Sequence, residues 1–272
     1  TNHIFTIPNW HWKRAEERQA LFRGGILRAA DIPPEVKLSD RQQQYVRCCA
    51  TQRSEIDLDG LRNIMNTLVY PVYFFDFETI NWAVPRFHGT KAYDQLPFQF
   101  SCHVQKTPGG KLSHFEYLHT ENDDPRPGIV AAIVTGFGDK GSVVAHHASF
   151  EKSRLHELAV FAPEHADKLT GIADRLWDTE VIFLRHYMDH RFLGRTSIKY
   201  VLPVIVPDMS YAGLDVRKGD QAQAVWQQMV SLPDGKVKQK LIDGLLAYCR
   251  QDTLAMVRII DKLRGLFPNG KI

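Results

Sequence analysis

The chain has 272 residues, a net charge of +3 at neutral pH, and 44% hydrophobic against 24% charged residues, the ordinary balance of a globular protein. So small a net charge does not announce a nucleic-acid binder, and no run approaches the roughly 20 apolar residues of a membrane span. The four cysteines, Cys48, Cys49, Cys102 and Cys249, have neither zinc spacing nor a disulfide framework, which fits a reducing cytoplasm. The first residues do not read as a signal peptide, and the chain opens on Thr1. A cytoplasmic location is the expectation, and a fragment of a longer protein is one reading of that start.

Residues 1–69 read as a helical lead-in or linker. A charged, amphipathic stretch opens at Trp12 and runs over 12–27, Asp31-Ile32-Pro33-Pro34 breaks it, and a helix resumes over 39–50 with Ser39 as N-cap. A further helix is expected over 57–68. From Tyr70 the pattern changes, and residues 70–272 read as an α/β domain. A strand over 72–77 is followed by a loop holding Trp82, Pro85, His88 and Gly89. Strands over 96–105 and 112–118 flank Thr107-Pro108-Gly109-Gly110, a hairpin signal. Next come a helix near 128–135, a strand over 142–146, a helix over 151–161 and a short strand over 176–178. Helices are expected around 180–190, 197–202, 219–230 and 236–266. The order strand-strand-strand-helix-strand-helix suits a mixed sheet with helices on both faces.

The chemistry is concentrated in acids that interrupt apolar segments. Asp76 and Glu78 lie in Val72-Tyr73-Phe74-Phe75-Asp76-Phe77-Glu78-Thr79, the most apolar run of the chain. Residues two apart on a strand share a face, roughly 6–7 Å from each other. Burying one unpaired carboxylate costs several kcal/mol and two together cost more, so a divalent cation is the simplest partner. Hard oxygen donors favour magnesium or manganese over zinc. In the last helix Asp252 lies on the apolar stripe, and Tyr248, four residues earlier, shares its face. Glu151, opening a helix after Val143-Val144-Ala145-His146-His147, is the natural further acid. The competing reading of Glu151 is a first-turn acid favoured by the helix macrodipole, and Asp178 is its rival as a metal ligand. His186 and His190 have the spacing of a helical zinc pair, but no third ligand follows them, and a surface or core role is favoured.

This ordered set resembles the DEDD family of 3′–5′ exonucleases. Asp76 and Glu78 match its Asp-x-Glu motif, and His147-Ala148-Ser149-Phe150-Glu151 loosely matches Asn-x-x-Phe-Asp. Tyr248 and Asp252 match the Tyr-x-x-x-Asp of the tyrosine subclass. Within that superfamily the chain is similar to a bacterial domain family of unknown function placed downstream of RecB-type nuclease domains. Pro97-Phe98-Gln99-Phe100-Ser101, Thr196-Ser197-Ile198-Lys199-Tyr200-Val201-Leu202-Pro203 and the segment from Tyr248 to Met256 carry that likeness. The second-motif acid is a glutamate here, and His147 stands where Asn is usual.

The resemblance implies a ribonuclease H-like α/β fold, a mixed sheet flanked by helices with an N-terminal helical extension. It also implies two Mg2+ or Mn2+ ions held by Asp76, Glu78, Glu151 and Asp252, with Tyr248 orienting the attacking water. The expected activity is hydrolysis of nucleic acid, DNA or RNA, from the 3′ end of single strands. Thr79, His147 and Lys199 are candidate substrate contacts, and Trp82 and Phe87 candidate base-stacking residues. Backbone contacts are sought among Arg185, Arg191, Arg195 and Lys199, and among Lys236, Lys238 and Lys240. An upstream nuclease domain is the expected partner in a longer chain. Two alternatives stand: a structure-specific endonuclease on the same fold, and a catalytically silent nucleic-acid-binding or scaffolding domain of a larger nuclease.

Overall fold

A computed structural model describes residues 2–10, 14–211, 213–216 and 219–267, with Asp220 by its backbone alone. In chain order its elements begin with α1 (Ala15–Arg23), α2 (Asp40–Thr51), β1 (Glu55–Ile56) and α3 (Leu58–Met65). There follow β2 (Val72–Ile80), β3 (Leu96–Gln105), β4 (Leu112–Leu118), α4 (Arg126–Gly136), β5 (Val143–Ala145), α5 (Ser149–Phe161) and α6 (Ala166–Ala173). The last are β6 (Leu176–Asp178), α7 (Glu180–Arg185), β7 (Tyr187–Met188), α8 (Ile198–Ile205), α9 (Gly219–Val230) and α10 (Lys236–Arg264).

These elements form two compact units. The first gathers the residues up to Thr67 with Glu180–Asp208, and the second comprises Leu68–Thr179 with Met209–Lys271. The segment Glu180–Asp208, read from sequence as part of the 70–272 domain, thus lies in the first unit.

In the first unit, Ser39 and Gln42 form a capping box that starts α2, the Ser39 N–H donating to Gln42 Oε1 at 3.0 Å. Tyr45, Cys48 and Cys49 of α2 pack on Ile7, Trp10 and Met188 in a small core. Trp12, where the first helix was expected to open, lies outside the described residues; α1 begins at Ala15. The helix expected over 180–190 stops at Arg185. Beyond it Tyr187 and Met188 pair antiparallel with Ile56 and Glu55, and His186 Nδ1 stands 2.9 Å from Asp57 Oδ2. His186 and His190 therefore do not share a helix, and the zinc spacing is not realised.

The second unit is built on a five-stranded sheet in the order β4-β3-β2-β5-β6. β3 is antiparallel to both its neighbours, whereas β2, β5 and β6 run parallel, giving a mixed α/β sheet with β2 at its centre. One face of β2 carries Tyr73, Phe75 and Phe77, which join Phe100 of β3 in a core closed by Ile133 of α4 and Leu155 of α5. The other face of the sheet is covered by α10, which makes polar contacts with β3. Gln99 Nε2 donates to Leu245 O at 2.9 Å, and Thr253 Oγ1 lies 2.8 Å from both Ser101 Oγ and His103 Nδ1. β2 runs three residues beyond the expected strand because its ladder with β3 continues through a bulge. Glu78 pairs with Gln99 but Thr79 with Pro97, so Phe98 is extra and packs with Ile80, Leu96 and Trp226. Among the described residues, no helix is long and apolar enough to cross a membrane.

Candidate metal centre

The parallel strands β5 and β6 end together, Ala145 beside Asp178, one residue past the pairing of Val144 with Phe74, while β2 runs on to Ile80. Asp76 and Glu78 on β2, His146 and His147 after β5, and Asp178 closing β6 therefore gather at the carboxyl edge of the sheet. That edge is where open α/β sheets bind ligands.

Strand alternation sends Asp76 and Glu78 to the face covered by α10, which brings Cys249 against them. One donor atom from each of Asp76, Glu78 and Cys249 lies within 4.8 Å of the others. Cys249 Sγ is 3.9 Å from Asp76 Oδ2 and 3.7 Å from Asp76 O. Donors around one divalent ion at bond lengths of about 2.0–2.4 Å stand roughly 3–4 Å apart, so the cluster has the dimensions of an ion site. The thiol is held protonated: burial, and after it Asp76, Glu78 and Asp252, pushes it well above its ordinary range. The two carboxylates are then the anionic donors of the cluster, a set that fits a hard cation.

Asp252 completes the acidic wall from the turn after Tyr248. It is buried and accepts a hydrogen bond from the Tyr211 hydroxyl. Tyr211 and Tyr248 lie with ring centroids 6.2 Å apart, and Tyr248 is buried. Burial first, and then Asp252 with Asp76 and Glu78, pushes both phenols far above their ordinary value. Both are therefore neutral donors beside three carboxylates. Tyr211 escaped the sequence reading because its stretch, between α8 and α9, has no periodicity to flag it. Gly219, opening α9, also approaches the site; a Cβ there would stand 3.6 Å from Glu78 Oε2.

Glu151 and Asp178 differ in their surroundings. Asp178 accepts from His147 N at 2.9 Å and Ala148 N at 3.1 Å, fastening the turn into α5. His147 holds φ 70° there, a left-handed conformation that His, Asn and Asp take more readily than most residues. Its side chain is exposed. Glu151, in the first turn of α5, is 3% exposed and its Oε2 has no hydrogen-bond partner among the described residues. Its carboxyl is pushed up to about 8, chiefly by burial; Asp178 adds to the shift, and its own backbone N–H and Arg154 oppose it. Glu151 and Asp252 stand outside the group of donors within 4.8 Å of one another.

The remaining expected contacts are distributed elsewhere. Thr79 alternates to the face opposite Glu78 and lies 2.6 Å from Gln95 Oε1. Lys199 is on α8 of the first unit. Trp82 and Phe87 pack edge to face, 5.5 Å apart, against the core around Trp226. Lys238 is largely buried and pairs with Asp234 at 3.0 Å, which makes it an anchor of α10 more than a strand contact.

Residues 73–197 match a domain of unknown function, DUF2779. The matched segment holds Asp76, Glu78, Glu151 and Asp178; Tyr211, Tyr248, Cys249 and Asp252 follow it. Among curated proteins the chain is 27% identical over 233 residues to "Uncharacterized protein MG366" of Mycoplasma genitalium, covering 78% of this chain and 34% of that protein. It is 31% identical over 206 residues to "Uncharacterized protein MG366 homolog" of Mycoplasma pneumoniae, covering 68% of this chain and 31% of that protein. The chain thus spans about a third of the length of the curated relatives it matches. No solved structure matches the chain.

Proposed function

We propose that the second unit is a metal-dependent phosphodiesterase that shortens single-stranded nucleic acid from its 3′ end. The observation that carries this reading is the convergence of Asp76, Glu78 and Cys249 on one point at the carboxyl edge of the sheet, with Asp252 beside them. Carboxylates so close together repel, with Glu78 and Asp252 buried and Asp76 half-buried, and a structural role gives no reason to keep them on one face. Their likeness to the Asp-x-Glu and Tyr-x-x-x-Asp motifs of the DEDD exonucleases, in a sheet of the ribonuclease H order, supports the same chemistry.

Asp76, Glu78 and Asp252 would hold divalent cations, with Glu151 joining when its proton is displaced. Bound magnesium or manganese supplies Lewis acidity, lowering the pKa of a water and stabilising the oxygen that leaves phosphorus. Tyr248, a neutral phenol, orients the attacking water by hydrogen bonding and is too weak an acid to act as its base. Tyr211 holds the Asp252 carboxylate in position. An upstream RecB-type nuclease domain in a longer chain, and the activity of the whole protein, belong to the same proposal.

A test uses manganese with linear and circular single strands of one sequence. Shortening of the linear strand alone is expected. Cutting of the circle would favour the endonuclease, and binding without cutting of either would favour the silent domain.

A further inference from the structure

The first unit holds a cavity of about 620 Å3 whose wall includes Asn2, Arg28, Cys49, Gln52, His190 and Arg191. Among the described residues no carboxylate lines it, although both arginines are paired with one. Arg28 Nε and Nη2 donate to Asp31 at 2.9 and 2.8 Å, and Arg191 Nε and Nη2 donate to Asp189 at 2.9 and 2.7 Å. Asp31 and Asp189 are absent from the wall. Each acid thus grips the Nε–Nη2 edge of its guanidinium and fixes the plane of the fork, while the Nη1 N–H groups stay outside the pair.

The two acids are not equivalent. Asp189 is fully buried and also accepts from Arg191 N at 2.8 Å, so the Arg191 fork is set by the core. Arg28 pairs with Asp31 on the surface. His190 Nδ1 lies 3.4 Å from Asp189 Oδ1 without a hydrogen bond between them. Asn2 Nδ2 donates to Cys49 Sγ at 3.2 Å and Gln52 Nε2 to Cys49 O at 2.5 Å, tying the opposite wall to α2.

We propose that this cavity is a phosphodiester-binding site that seats the backbone of a nucleic-acid strand. Two oriented guanidinium groups and an imidazole in one wall without carboxylates select an anion with several oxygens, and guanidinium forks match phosphate oxygens closely. The volume lies in the range of ligand pockets that take a nucleotide-sized group. With a net charge of only +3, the chain cannot hold a strand by its overall field, so the local concentration of arginine is what would bind it. The choice of a strand as the bearer of the phosphate rests on the function proposed above.

The test is binding of a fluorescein-labelled oligothymidylate of about 12 nucleotides to the whole chain in EDTA, followed by anisotropy across salt concentrations. Arg28→Gln should weaken binding roughly 3–10-fold and lower the salt slope by about one, and Arg28→Glu should weaken it further. Arg28 is exposed, so thermal melts of both variants should match the unmodified chain. Manganese-dependent hydrolysis of bis(p-nitrophenyl) phosphate, which has no strand to seat, should be the same in all three proteins. Absence of that hydrolysis in every protein would sink the proposed function, while the binding measurement would still decide this site. Equal affinity and salt slope in all three would overturn the site. Displacement of the Arg28-dependent binding by millimolar thymidine monophosphate as readily as by unlabelled oligothymidylate would overturn the assignment to a strand.

Discussion

The Tyr211 hydroxyl donates to Asp252 Oδ1, joining a phenol from the irregular stretch before α9 to a buried carboxylate one turn past Tyr248 on α10. Removing it takes one hydrogen-bond donor from a buried acid. Tyr211→Phe should lower stability by about 1.5–3 kcal/mol, the usual worth of a hydrogen bond to a charged group, read by urea denaturation. A variant as stable as the unmodified chain would show that Tyr211 does not hold Asp252.

Tyr248 is expected to act differently from Asp252 on the same helical face. Tyr248→Phe should slow turnover by about 10–1,000-fold, roughly 1.4–4 kcal/mol of transition-state stabilisation, with little change in manganese affinity. Asp252→Asn should nearly abolish turnover and weaken manganese binding while the fold persists, since one buried negative charge is removed. If Tyr248→Phe kept full rate, another donor would have to position the water, and Tyr211, whose ring lies 6.2 Å from that of Tyr248, would be tested next.

The fold and site were unevenly legible. Alternation within 72–79 exposed Asp76 and Glu78 because period-2 patterning needs no knowledge of the partner strand, and the same alternation turns Thr79 away from them. The helix expected over 180–190 failed for the opposite reason. Its second half is captured by β1, about 130 residues earlier, in a ladder that no local window can detect. Glu151 and Asp178 could not be ranked from residue type alone. What separates them is a turn geometry that gives Asp178 two backbone donors and leaves Glu151 Oε2 without one.

That division predicts a stability effect without a chemical one at Asp178. Asp178→Ala removes the acceptor of two N–H groups at the entry to α5 and should cost about 1–2 kcal/mol, as lost helix caps do. Manganese affinity, measured by calorimetry, should fall far less than in Glu151→Gln. Equal losses in the two variants would make Asp178 a ligand.

Glu151 also predicts a pH dependence of the metal-free protein. Its carboxyl titrates near 8 in the folded chain against about 4.5 when unfolded, so between those values the folded state binds more protons. Its contribution to stability is therefore complete below the unfolded value and lost as pH rises through the folded one, at no more than about 1.4 kcal/mol per pH unit. Urea midpoints in EDTA should fall over the upper part of that window, above about 6.5, and Glu151→Gln should flatten the fall. An unchanged pH profile in Glu151→Gln would assign the proton elsewhere.

His103 gives the opposite slope at acid pH. Burial, with smaller contributions from His114 and Arg250, lowers its imidazole to about 4, so its contribution is present above the ordinary value of 6.5 and lost as pH falls toward 4. Between about 4.5 and 6.5 this slope opposes that of Glu151, so the decline should emerge in Glu151→Gln, and the imidazole proton shifts of His103 should titrate near 4. Titration near 6.5 would mean that this ring is not desolvated beneath α10.

The central claim, that Asp76 and its neighbours form a metal-dependent hydrolytic site, is tested most directly by 5′-labelled single-stranded DNA and RNA incubated with manganese. The unmodified chain is expected to shorten at least one of them stepwise from the 3′ end, and EDTA or Asp76→Asn to stop it. Intact strands in every lane, or shortening that persists undiminished in purified Asp76→Asn, would contradict it.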